Sequence, residues 1–134
     1  MPRLVVDAGP LIAVFHRQDT QHHYCVERLE FLIEHQYSLI TTLPVLCEVH
    51  KLIQRYASAI TAQKALFELW EALDIQTLED TGIQDAITLV VATPGWQGTL
   101  QDASIVVTAR CLNIEVWTLD YRDFSRFQDL KLWN

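Results

Sequence analysis

Basic residues are scarce in this sequence. Ten Lys and Arg stand against 17 Asp and Glu, for a formal net charge of -7. The chain therefore lacks the cationic surplus on which broad, sequence-independent attraction to nucleic acid depends. A nucleic-acid enzyme is not excluded, because carboxylates holding divalent cations add negative charge while the ions meet the phosphate. Local positive charge remains at Arg17, Arg110, Arg122 and Arg126, where solvated surface is the ordinary role. Cysteine is also sparse. Cys25, Cys47 and Cys111 are odd in number and have no close metal-type pairing, so all three are expected to be small buried apolar residues in a reducing compartment. No apolar run approaches the roughly 18 residues that span a bilayer, and no basic segment leads into an apolar signal core at the N-terminus. The expected location is the cytoplasm. Internal repeats, low-complexity tracts and interdomain linkers are missing as well. With half of the residues hydrophobic and 20% charged, the 134 residues are expected to form one globular domain, 1–134.

Helical and extended patterns alternate along the chain. Leu4-Val5-Val6 suits a strand buried on both faces, and Gly9-Pro10 ends it and opens a helix from Leu11 to Phe15. A helix over Tyr24–Ile33 follows. Ser38–Thr42 predicts the next strand, and Pro44 opens a helix with Val45, Leu46, Val49, Leu52, Ile53 and Tyr56 on its apolar face. A second amphipathic helix covers Ala59–Leu73, with Leu66, Phe67, Trp70 and Leu73 as the stripe that packs against the body or a second subunit. Asp74–Leu78 reads as a strand, Gly82–Ala92 as a helix and Pro94–Gly98 as a loop. Leu100–Asn113 is a helix, Glu115–Leu119 a strand, Tyr121–Phe124 a turn or short helix and Leu130–Trp133 a closing strand. This order predicts a three-layer α/β domain with a mainly parallel sheet and right-handed crossovers.

Four acids hold positions of interest in that scheme. Asp7 and Asp120 each end a predicted strand, and ligand crevices in open α/β sheets lie at the carboxyl ends of strands. Glu48 sits at the edge of an apolar helix face. Asp102 falls in line with Ile105, Val106 and Ala109, which puts a carboxylate on a buried stripe where it needs a cation, a donor or a first-turn role. Each acid also has a plain structural use, as a cap, a turn residue or a solvated side chain. Two carboxylates about 4 Å apart repel by roughly 4 kcal/mol at an effective dielectric near 20, so convergence of all four would call for protons or cations. Oxygen ligands without soft partners favour Mg²⁺ or Mn²⁺ over zinc. The adjacent His22 and His23 point about 100° apart on a helix and make a poor shared metal site.

These residues belong to longer runs: Val-Asp-Ala-Gly-Pro-Leu-Ile-Ala at 6–13, Asp19 with His22-His23, Thr41-Thr42-Leu43-Pro44-Val45-Leu46-Cys47-Glu48, Gln101-Asp102-Ala103-Ser104-Ile105-Val106, and Thr118-Leu119-Asp120-Tyr121-Arg122-Asp123-Phe124. In this order they resemble the PIN-domain family and, within it, the VapC-like ribonuclease toxins of prokaryotic toxin–antitoxin pairs. The resemblance implies a PIN-like α/β fold with helices flanking the sheet. It also implies a Mg²⁺-dependent endoribonuclease, with Mn²⁺ as a substitute ion, in which Asp7, Glu48, Asp102 and Asp120 are catalytic metal ligands. Asp123 is a candidate further ligand. Thr118 matches the hydroxyl residue found beside the fourth acid and, with Arg122, Arg126 and Trp96, is a candidate for contact with RNA. A homodimer and a small antitoxin partner are implied too. The chain departs from many relatives at Ala8 and Gly9, where side-chain hydroxyls or amides are common, and at Thr99, near which some branches carry another acid. Two rival readings stand beside this one. A PIN-like binding module without activity would keep the fold, and a phosphate-accepting receiver domain would need a lysine near the last acid, whereas the chain has only Lys51, Lys64 and Lys131.

Overall fold

A computed structural model describes residues 1–134. Four short strands form one parallel sheet in the order β3-β2-β1-β4: β1 Arg3–Val6, β2 Ser38–Thr42, β3 Leu73–Gln76 and β4 Glu115–Trp117. Seven helices surround it: α1 Ala8–Phe15, α2 His22–Glu34, α3 Leu43–Tyr56, α4 Ala59–Ala72, α5 Asp80–Ala92, α6 Leu100–Leu112 and α7 Tyr121–Phe124. Leu4, Val5 and Val6 are fully buried, as expected for a central parallel strand covered on both faces. The chain steps outward from β1 to β2 and β3, then returns to place β4 on the other side of β1. This reversal makes the carboxyl ends of β1 and β4 the topological switch point, where such sheets form their ligand crevice.

Local chemistry sets the helix starts around that edge. Thr42 ends β2 and caps α3, accepting from Val45 N–H at 3.4 Å, and Pro44 lies in the first turn. Ser58 caps α4 by accepting from Thr61 N–H at 3.0 Å. At α6, Thr99 and Asp102 form a reciprocal capping box. The helix ends at Asn113, which adopts a left-handed conformation with φ 55°. The hydroxyls of Thr42 and Ser104 are 2.8 Å apart and buried, so they also tie the carboxyl end of β2 to α6.

Several expectations need correction. Leu130–Trp133 is not a strand: it makes a single parallel bridge, Leu132 to Val116, because the chain passes the short β4 for only one residue pair. The segment nevertheless closes the core. Trp133 is nearly buried, edge-on to Trp117 with ring centroids 5.5 Å apart, and the Arg28 guanidinium lies 4.3 Å from its ring centroid. Of the cysteines only Cys25 is buried, since Cys47 and Cys111 fall on the outer faces of their helices. The stripe assigned to Ala59–Leu73 also turns outward for the most part. Ala62, Ala65 and Leu69 face the core, while Phe67 and Trp70 remain 67% and 66% exposed. Small side chains let α4 approach its neighbours closely, leaving the large ones outside. The starts of α1, α2 and α5 lie two or three residues earlier than expected, β3 is shifted toward the N-terminus and β4 ends two residues earlier.

Trp133→Ala is expected to cost about 3 kcal/mol of unfolding free energy through loss of the packing over Trp117. Urea denaturation followed by circular dichroism measures it, and a loss below about 1 kcal/mol would contradict the closing role of this segment.

Candidate active site

The sheet places Asp7 immediately after β1, and its backbone N–H still donates to Trp117 O at 2.9 Å. The side chain is thereby held beside the end of β4. Asp7 is 5% exposed. The Thr118 hydroxyl donates to its Oδ2 at 2.8 Å, while Asp7 Oδ1 is buried and has no hydrogen-bond partner. The Asp120 backbone N–H in turn donates to Thr118 Oγ1 at 2.9 Å. One hydroxyl thus joins the two strand-end acids. Sequence reasoning offered Thr118 for substrate contact, but it is fully buried and its hydroxyl is committed to Asp7, so it positions the acid.

Glu48 arrives from the second turn of α3, Asp102 from the first turn of α6 and Asp120 from the N-terminus of α7. Together with Asp7 they line one cavity of about 400 Å³ that also includes Ala8, Gly9, Thr99 and Gln101. No lysine lines it, which removes the feature a receiver domain requires. The four acids border this space without enclosing a ready-made cage: no three His, Cys, Asp or Glu side chains are grouped closely enough to hold an ion as they stand. Thr99 N–H donates to Asp102 Oδ2 at 2.8 Å, Gln101 Nε2 donates to Glu48 Oε2 at 3.1 Å, and Asp123 N–H donates to Asp120 Oδ1 at 3.1 Å. Asp102 is half-buried and fulfils the first-turn role that its sequence position allowed.

Burial raises the Asp7 pKa from an ordinary 3.8 to about 6, and the nearby Asp102 charge adds to this rise. The Thr118 hydroxyl and the nearby Ala8 amide, which is not in hydrogen-bond geometry with either oxygen, oppose the shift without cancelling it. Asp123 is raised as well, first by loss of solvation and then by the Asp120 charge. It lies outside the acid-lined cavity, 3.9 Å from an Arg126 nitrogen. A buried carboxylate oxygen without a donor, among three other acids, fits a hard divalent cation.

The candidates for RNA contact divide. Arg122 is exposed and makes no ion pair. Arg126 donates to the carbonyls of Pro94 and Gly95 and lies 5.8 Å from the Trp96 ring centroid. Trp96 packs 5.5 Å from Phe127 and is half-buried, which makes it the anchor of its loop. Gly98 permits that fold, since a Cβ there would collide with the Trp96 ring. Gln101 escaped sequence reasoning as a site residue. Its only signal was adjacency to Asp102, because its partner Glu48 is far away in the chain.

Residues 4–130 match the PIN domain family. The chain belongs to the PIN domain family. No curated protein shows significant sequence similarity to this PIN-domain chain. Among solved structures it is similar to Mycobacterium tuberculosis VapC20, a toxin that cleaves the sarcin–ricin loop, with a TM-score of 0.79 and 16% identity over 92% of this chain and 95% of that one. A DNA-bound VapBC from Salmonella typhimurium gives 0.75 and 12%, covering 99% and 98% of the two chains. VapBC2 of Rickettsia felis, bound to a promoter DNA fragment, gives 0.74 and 16%, covering 98% and 99%. At these identities the likeness is one of fold.

The Asp7 shift fixes the sign of a pH effect. Between about pH 4 and 6 the native chain holds this proton more tightly than the unfolded chain, so the contribution to stability falls as pH rises through that window. A shift from 3.8 to about 6 corresponds to about 3 kcal/mol. Without divalent ions, the stability advantage of Asp7→Asn over wild type should therefore grow by about 2.4 kcal/mol between pH 4 and pH 7.5. Urea titrations in EDTA test this, and a pH-independent difference would contradict it.

Proposed function

We propose that this PIN-domain protein is a Mg²⁺-dependent endoribonuclease that hydrolyses phosphodiester bonds in single-stranded or loop RNA, as the toxin of a cytoplasmic toxin–antitoxin pair. The observation that carries the reading is Asp7: a buried carboxylate with one unsatisfied oxygen at the topological switch point, sharing its cavity with Glu48, Asp102 and Asp120. Membership of the PIN family and the fold shared with VapC toxins support it.

Asp7, Glu48, Asp102 and Asp120 are the residues that would hold Mg²⁺ or Mn²⁺, with Asp123 at the margin. The ion supplies charge stabilisation at phosphate and a water of lowered pKa. Thr118 fixes the orientation of Asp7, and Gln101 fixes that of Glu48. The capping box with Thr99 holds Asp102 at the start of α6. The Ala8 and Gly9 positions supply no side-chain ligand, leaving room for water beside the acids.

The exposed Ile60, Phe67 and Trp70 share the outer face of α4, a surface suited to a homodimer. An antitoxin would suppress the toxin by covering the acid-lined cavity.

RNA cleavage with Mg²⁺ should fall by more than about 100-fold in Asp7→Asn and Asp102→Asn, and by roughly 10- to 100-fold in Thr118→Val. Unchanged rates in either acid variant would remove that acid from the machinery. Light scattering at micromolar concentration should report a dimer of the 15.5 kDa chain, and Phe67→Glu with Trp70→Glu should release monomers. A monomeric wild type would contradict the assigned face.

A further inference from the structure

The face of α3 that carries Glu48 does not end at the acid cavity. Glu48, Lys51, Leu52, Arg55 and Tyr56 follow the i, i+3, i+4, i+7 and i+8 spacing of a single helical face. Glu48 and Leu52 line the acid cavity, whereas Tyr56 lines a separate, larger cavity of about 720 Å³ between the ends of α1 and α3 and the starts of α2 and α4. Helix α1 makes the same passage, with Ile12 at the acid cavity and His16 at the larger one. The two cavities are thus one helical turn apart along the same pair of elements, with Ile12 and Leu52 at one and His16 and Tyr56 at the other. Over eight residues of helix the face advances about 12 Å.

The chemistry along this groove changes from acidic to basic and aromatic. His16 and Tyr56 stack with ring centroids 5.6 Å apart and planes 23° from parallel, and Tyr56 remains 56% exposed. Arg17 and Lys64 line the larger cavity, where Glu68 is the only carboxylate. Lys51, Arg55, Arg17 and Lys64 make no ion pair, although acids outnumber bases in the chain as a whole. By contrast, Arg110 is paired with Asp129 and Arg126 is held by its own loop. Four of the eight cations without an ion pair thus lie along α3 or at the larger cavity, on the side of the acids toward Tyr56.

We propose that the groove between α1 and α3 is the path of single-stranded RNA leaving the acid cluster. A base stacks at the Tyr56–His16 pair, and successive phosphates meet Lys51, Arg55 and Arg17. Stacking on an aromatic side chain beside a cationic track suits single strands and tolerates any base. This assignment rests on the ribonuclease reading, and it adds the route and polarity-independent contacts of the strand beyond the bond that is cut.

The test measures binding of a fluorescein-labelled 12-nucleotide single-stranded RNA by anisotropy in Ca²⁺, across a salt series, with cleavage in Mg²⁺ followed in parallel. Each lost phosphate contact should lower the slope of log K against log salt by about 0.7, so Lys51→Ala with Arg55→Ala should lower it by about 1.4. Tyr56→Leu should weaken binding roughly 5- to 150-fold with little change of slope. Arg3→Ala with Lys131→Ala removes the same charge from the opposite end of the sheet and should leave both quantities unchanged. Equal slopes in the two double variants, or wild-type affinity in Tyr56→Leu, would overturn the path while leaving the ribonuclease reading intact if wild type still cleaves. Failure of wild type to bind or cleave RNA would overturn the ribonuclease reading itself. All five substituted side chains are exposed, and circular dichroism verifies that each variant is folded.

Discussion

A carboxylate held out of water at the end of the central strand is the constraint on which the site depends. Asp7 is buried because β1 lies between β2 and β4, and because the chain turns directly into α1 after it. Thr118 satisfies one oxygen, and nothing in the protein satisfies the other. A group so placed resists ionisation, and Asp102 makes ionisation harder still. The fold tolerates this arrangement because the surrounding apolar core and the parallel ladder hold the strand ends in place. Local stability is given up at the point where a cation would restore it.

The other acids complete the environment through elements that converge at the same edge. The buried Thr42–Ser104 contact joins β2 and α3 to α6, while Gln101 reaches Glu48 across the same junction. The sites of Glu48 and Asp102 are therefore coupled mechanically before any ligand arrives. Along α3 the carboxylates of the cavity give way to Lys51 and Arg55, which are exposed and make no ion pair.

Much of this organisation was visible in the sequence. The apolar run Leu4–Val6 and the acid after it marked the central strand, and the alternation of helix and strand gave the three-layer parallel arrangement. Asp7 and Asp120 stood out at strand ends, and Glu48 and Asp102 stood out on or beside an apolar helix face. Less visible were contacts between distant residues. Thr118 and Asp7 are 111 positions apart, and their hydrogen bond follows from strand adjacency and register. Periodicity also described an apolar stripe on α4 without revealing which side the small alanines would bring against the body. The C-terminal segment looked extended because Leu130, Leu132 and Trp133 are apolar, yet it joins β4 through the single bridge between Leu132 and Val116.

Direct titration of Mn²⁺ into wild type and Asp7→Asn between pH 5 and pH 7.5 tests the central claim most closely. Wild-type affinity should rise up to about tenfold per unit as pH increases toward 6, because metal must displace the Asp7 proton, and level off above it. Asp7→Asn should bind weakly and lose that dependence. Equal Mn²⁺ affinities for the two proteins across the pH range would contradict a cation site built around Asp7.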